Sequence, residues 1–157
     1  MEILPFEQKY QNAVLALNEL AVGRSEYIGG TVDPNWHGDL GKIKEDYLGN
    51  NGAFLLWLDG GRLVGMGGLL KIDAGTANVK RVRVHPDYQR KGLSAEILAE
   101  LERRARLLGY RKLVANTAKG NVPAEKMFMK AGFKPVGEKE FFSVPCTLFE
   151  KRLALLV

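Results

Sequence analysis

Apolar residues recur along this chain with two different spacings. Between Glu7 and Leu20 they fall at Val14, Leu15, Leu17 and Leu20; between Leu93 and Leu108 they fall at Leu93, Ile97, Leu98, Leu101, Ala105 and Leu108. Steps of three and four put such residues on one face of a helix. Glu100–Arg104 and Glu102–Arg106 support the second helix as i,i+4 pairs, and Gly109 is placed to end it. A helix is also expected over Leu40–Leu48, stopping at Gly49-Asn50, and another opening at Asn121-Val122-Pro123, since proline suits a first turn. In that last helix Ala124, Met127, Phe128 and Ala131 face the core, and Gly132 stops it.

Strands read differently. Ile3-Leu4, Ala53–Leu58, Arg62–Ile72, Asn78–Val84, Lys112–Thr117, Phe133–Val136 and Thr147–Leu153 carry the short apolar or alternating runs of a sheet. Asp59-Gly60-Gly61 marks a hairpin between the second and third, because glycine accepts the positive φ of a tight turn. The fourth strand holds a fault. Val82 and Val84 share a face, Val79 belongs to the other, and the alternation slips near Lys80-Arg81. An inserted residue, a β-bulge, would produce that slip; so would a strand buried on both faces at its start. The order predicts one mixed α/β (α+β) domain over residues 1–157, built on a largely antiparallel sheet with about four helices.

Composition narrows the classes. Apolar residues make up 46% and charged residues 26%, the balance of a globular chain able to bury a core. The apolar run Ala53–Leu58 is far shorter than the ~20 residues of a membrane span. Met1–Pro5 lacks a basic stretch followed by an apolar run, so no secretion signal is expected. Cys146 is the only cysteine, which excludes an internal disulfide and fits a cytoplasmic location. The net charge of +5 favours an anionic partner. Nucleic acid is not expected. Arg103, Arg104 and Arg106 are interleaved with Glu100 and Glu102, Lys80, Arg81 and Arg83 lie in a strand, and no series of stacking aromatics accompanies either group. Neither His37 nor His85 has partners spaced for a metal site.

The candidate chemistry lies where the fourth strand meets the following helix. Gln89-Arg90-Lys91-Gly92-Leu93-Ser94 brings exposed helix-start N–H groups, two cations and a glycine together. That combination suits a pyrophosphate; the alternative is a plain turn with solvated basic residues. The P-loop and dinucleotide fingerprints are both missing.

This loop resembles the Q/R-x-x-G-x-G/A loop of the GNAT N-acetyltransferase superfamily. Val82-Arg83-Val84-His85-Pro86-Asp87-Tyr88 is similar to the strand and loop that precede it there. Asn121, Ala124, Phe128 and Gly132-Phe133 resemble the family's N-x-x-A-x-x-x-Y-x-x-x-G-F helix, with Phe128 in place of the tyrosine. The resemblance covers nearly the whole chain. It implies a V-shaped split between the fourth and fifth strands that admits acetyl-CoA. It further implies that the backbone of Val82, Arg83 and Val84 pairs with the pantetheine arm, and that amides of Gln89 to Ser94 hold the pyrophosphate. Asn121, Lys126 and Phe128 are implied as cofactor neighbours, and a fourth-strand bulge as the source of an N–H for the thioester carbonyl.

Three positions depart from the family's pattern. Ser94 stands where a third small residue, often glycine, is usual. Phe128 cannot protonate a departing thiolate, although a thiol of pKa near ~8.5 leaves tolerably as its anion. Asn78 stands where many members carry a glutamate base; it can orient water but cannot take a proton. His37 is a further candidate, in an early loop with Asp33 and Trp36 that, with Tyr27, would wall the acceptor pocket. His85 reads as a solvated strand end. The implied activity is acetyl transfer to the amine of a small molecule or peptide, and the implied assembly includes homodimers. The competing reading is a module that binds acyl-CoA without turnover.

Overall fold

The computed structural model describes residues 1–22 and 38–154. Seven strands form one sheet: β1 (Glu2–Pro5), β2 (Ala53–Asp59), β3 (Arg62–Asp73), β4 (Thr76–Val84), β5 (Lys112–Ala118), β6 (Lys134–Phe141) and β7 (Val144–Arg152). Their spatial order is β1-β2-β3-β4-β5-β7-β6. Every neighbouring pair is antiparallel except β4 with β5. The mixed, largely antiparallel α/β fold read from the sequence is the fold observed.

Helix α1 (Gln11–Val22) packs on one face of the sheet, and α2 (Leu93–Leu107) and α3 (Val122–Lys130) on the other. Strand β2 shows how the two cores divide. Leu55 and Trp57 join the α2 side, while Phe54 and Leu56 join the α1 side. Its unbroken apolar run is therefore a strand buried on both faces. Helix α2 ends as its sequence predicts. Gly109 takes φ 92, its N–H reaches the carbonyl of Arg106, and the Tyr110 N–H reaches that of Ala105. Such a pair of bonds satisfies carbonyls the helix leaves over.

The expected helix over Leu40–Leu48 takes another form. Gly38–Lys42 is a 3-10 turn, Ile43–Tyr47 a π-helical turn, and Leu48–Asn50 a second 3-10 turn. Lys42, at φ −134 and ψ 39, departs from helical geometry and breaks the run, with Gly41 just before it. The departure lets Leu40, Ile43 and Tyr47 all bury completely. The last hairpin is longer than its apolar residues suggest, because β6 continues through the charged Glu138-Lys139-Glu140. An edge strand exposed to water has no need of apolar alternation. No helix among the described residues is long and apolar enough to cross a membrane.

Candidate active site

Two features of β4 create the site. First, β4 pairs with β5 only over Thr76–Asn78 against Lys112–Val114. Beyond Asn78 β4 runs on to Val84 and β5 to Ala118 without pairing each other, so the sheet parts. The split implied for the fourth and fifth strands lies here. Second, β4 carries a bulge. Lys80 faces Gly68 and Arg83 faces Met66, so three steps on β4 match two on β3, and Arg81 takes φ 58. The start of β4 is also buried on both sides at Thr76 and Ala77, so both readings of its pattern contribute.

The bulge sorts the side chains. Ala77, Val79, Val82 and Val84 pack on the α2 core. Arg83 Nε donates to Asn18 Oδ1 of α1 at 3.0 Å, and Arg81 turns the same way to Asp39. Alternation puts Asn78 and Lys80 on that face too. Two consecutive cations, Lys80 and Arg81, thus share one face, which an unbroken strand would forbid.

The Arg81–Asp39 pair is a built structure. Arg81 Nε donates to Asp39 Oδ2 at 3.0 Å, and a second guanidinium nitrogen donates to Oδ1. The side chains are only 8% and 15% exposed. Tyr47 donates its hydroxyl proton to the same carboxylate at 2.6 Å. Burial alone would raise the Asp39 pKa, but the hydrogen bond and charge of Arg81 overcome it and bring the value down to about 2. Burial and the facing carboxylate push the Tyr47 phenol upward. Burial pushes the Lys80 ammonium below its ordinary range, and Asp39 offsets this only in part.

The parted strands form a cleft lined, among the described residues, by Asn78 to Arg83 of β4, Asn116 to Ala118 of β5, Asn121, Ala124, Met127 and Phe128 of α3, and Phe141 and Phe142 of the last hairpin. Its floor is the unpaired edge of β4 and β5. Asn78 Oδ1 is buried here and accepts no hydrogen bond. Asn121 caps α3 by accepting the Ala124 N–H at 3.4 Å. Phe128 is buried and stacks on Phe149 at 5.4 Å, with Phe133 edge-on at 5.3 Å. A core aromatic packed this way supplies shape and no proton.

At the open end of the cleft the chain turns from β4 into α2. The Gln89 side chain donates to the Val84 carbonyl at 3.0 Å and ties the loop to the strand end. Arg90 adopts φ 62 and Gly92 φ 84, and no side chain caps the first turn of α2. The helix-start N–H groups, normally satisfied by a cap, are left for a ligand. A side chain at Gly92 would meet no atom within 4 Å, so this backbone is approachable. Gln89, Arg90 and Lys91 are exposed, and Lys91 lies over the Tyr88 ring at 5.6 Å. A groove runs from Arg90, Gly92 and Ser94 between α2 and α3.

The structure brings Asn78, Val82, Arg83, Asn121 and Phe128 to the cleft and Arg90, Gly92 and Ser94 to the groove. The side chains of Val84 and Leu93 are buried in the core, leaving their backbone groups for the site. Lys126 is exposed and lines neither hollow. His37, with Tyr27, Asp33 and Trp36, lies outside the described residues. His85 is not the solvated residue expected. Its side chain is 12% exposed, and Nδ1 accepts the Asp87 N–H at 3.0 Å. Asp39, Phe141 and Phe142 escaped the sequence reading, and Lys80 was named there only at the slip and as a basic residue of the strand. The slip in β4, taken as a bulge, was the signal for Lys80, since it turns Lys80 and Arg81 to a common face.

Comparison with known proteins agrees with this geometry. The family model described as the acetyltransferase (GNAT) family matches residues 23–133. Human N-acetyltransferase 8 is 27% identical over 116 residues, which are 70% of this chain and 51% of that protein. The chain thus spans about half the length of this curated relative. An acetyltransferase from Streptococcus agalactiae superposes with a TM-score of 0.85 at 20% identity, covering 97% of this chain and 98% of that one. The ribosomal-protein-S18-alanine N-acetyltransferase of Escherichia coli superposes with a TM-score of 0.75 at 14% identity, covering 99% and 96%. With the parted strands, the bulge and the uncapped helix in place, and a family model matched across most of its length, the chain belongs to the GNAT acetyltransferase family.

Proposed function

We propose that this chain transfers an acetyl group from acetyl-CoA to an amine. One observation carries the reading: the sheet parts between β4 and β5 beside an uncapped helix start. An extended arm ending in a pyrophosphate fits that pair of features. Unpaired strand backbone suits the amides of a pantetheine arm, and helix-start N–H groups suit its anionic end. The open space at Gly92 satisfies the need for close approach. Backbone of Val82 to Val84 and amides of Gln89 to Ser94 would hold the carrier.

Bound acetyl-CoA supplies the activated acyl group. The chain's residues bind, orient and shield. The split floor aligns the arm; Phe128 and Phe141 exclude water from one wall; Asn78 Oδ1 is an acceptor for the N–H of an incoming amine or a water. Among the described lining residues the ionisable ones are Lys80, Arg81 and Arg83, so a carboxylate or imidazole base is not among them. An amine arriving unprotonated needs no base in order to attack, and the proton its nitrogen then sheds would pass to the departing thiolate, directly or through water.

The second reading, a module that senses acyl-CoA without turnover, rests on Asn78 and on the core packing of Phe128. Titration calorimetry with acetyl-CoA, followed by mass spectrometry of a broad panel of amines, separates the two. Acetylated product supports transfer. Tight binding with no product from any amine supports sensing, and absence of binding overturns both.

A further inference from the structure

We infer that the acceptor is a small amine that also bears a carboxylate, and that Lys80 receives that carboxylate while Asn78 Oδ1 receives the amine. This deepens the proposed transfer and rests on it.

The charge of the cleft is the starting point. Among the described residues its lining includes Lys80, Arg81 and Arg83 and no aspartate or glutamate. Asp39, which meets Arg81 on this face, is committed to Arg81 and Tyr47. Arg83 is anchored on Asn18. Lys80 makes no hydrogen bond or ion pair among the described residues, although it is half-buried. An ammonium taken out of water without a partner is costly, and an incoming anion removes the cost.

The cofactor does not account for this charge. Its anionic groups belong at the start of α2, beyond the end of β4, whereas Lys80 stands near the point where β4 and β5 part. The stretch of cleft beside Lys80 would face the neutral arm. A simple protonated amine fits poorly as well, because Lys80 and Arg83 leave an excess of positive charge beyond the Arg81–Asp39 pair.

A second observation points the same way. Asn78 and Lys80 are alternate residues, so they lie on one face of β4, about 6.5–7 Å apart along the strand. Asn78 offers a buried acceptor with no donor among the described residues, and Lys80 a cation whose burial Asp39 offsets only in part. An amine with a nearby carboxylate supplies the missing donor and the rest of the counter-charge together. Lysine's flexible stem lets its ammonium close the remaining gap.

The test compares free L-amino acids with their carboxamides as acceptors, at fixed acetyl-CoA, by coenzyme A release and product mass. Three proteins are assayed: wild type, Lys80→Met and Lys80→Arg. Acetyl-CoA affinity and thermal melting are measured for each, which controls for folding. In wild type the carboxylate partner should have the higher kcat/KM by about tenfold or more, the scale of a charge-assisted hydrogen bond. Lys80→Met should bring that ratio near one, acting mainly on the acceptor KM, with acetyl-CoA affinity unchanged. Lys80→Arg should keep the preference. Equal or better turnover of the carboxamides by wild type, or a ratio that survives Lys80→Met, overturns the inference and leaves acetyl transfer standing. Failure of all these amines despite acetyl-CoA binding overturns the inference too, and product from some other amine would still uphold transfer.

Discussion

Asp39 holds the position of Arg81, which lines the cleft. Its carboxylate has an ordinary pKa of 3.8, lowered to about 2 in the folded chain. A group with a depressed folded value stabilises the fold fully above its unfolded pKa. That contribution drains as pH falls from about 4 through the folded value. The linkage amounts to about 2 kcal/mol. Urea midpoints taken from pH 5 down to pH 2 should show this loss in wild type and a flatter profile in Asp39→Asn. At pH 7 the same substitution removes the Asp39 charge from the buried Arg81 guanidinium. Removing one partner of such a pair typically costs about 3–5 kcal/mol, so Asp39→Asn should lower the urea midpoint severely. Neither residue was singled out in the sequence as half of this pair. They are 42 positions apart, in elements that nothing local connects.

Elements show a different balance. The start of α2 was legible from its residues alone, since an uncapped turn after Arg-Lys-Gly needs no distant partner to exist. Gly92 has open space around it but sits at φ 84. Gly92→Val should therefore cost about 1–2 kcal/mol of stability through backbone strain and meet no clash in the free protein. Its larger effect should be on the cofactor: the thermal stabilisation that acetyl-CoA gives wild type should vanish. Melting curves with and without acetyl-CoA check both. The last hairpin makes the opposite trade. Its two turn residues, Phe142 and Ser143, take φ 50 and φ 66 without being glycine or asparagine. Both central residues of a two-residue turn are then left-handed, a place that favours Asn-Gly. Phe142 nonetheless lines the cleft while half exposed. Replacing the pair by Asn-Gly should raise stability by about 1 kcal/mol in chemical denaturation. The same variant should weaken acceptor turnover, read as a higher KM, because an aromatic wall is gone.

Across the whole molecule, two cores press on one sheet, and glycines of β3 leave the room both of them use. A Cβ at Gly67 would stand 2.8 Å from Ile97 Cγ2 and 2.9 Å from Leu101 Cδ1. At Gly68 it would stand 2.8 Å from the rings of both Phe54 and Tyr47. The first pair belongs to the α2 side and the second to the α1 side. Alanine at either position overpacks a closed interior, which typically costs about 1–3 kcal/mol. Gly68→Ala should sit at the upper end, since Phe54 and Tyr47 are wholly buried rings in edge-on contact at 5.2 Å and have little room to move. The check is a lower urea midpoint at unchanged slope.

The chain's own pattern determined the strands, the helices α1, α2 and α3, the stop at Gly109, and the glycine turn at Gly92 that opens α2. Each depends on residues within a few positions of one another, where spacing and turn chemistry act directly. It also located the slip in β4 as a matter of phase. Only the folded arrangement decided that the slip is a bulge setting Lys80 and Arg81 on one face. Only that arrangement brought Asp39 beneath Arg81, unpaired β4 from β5 beyond Asn78, and set Phe142 at the cleft. The reason is physical. Burial, charge pairing and the unsatisfied carbonyl of Asn78 are properties of surfaces meeting, and those surfaces come from segments far apart in the chain.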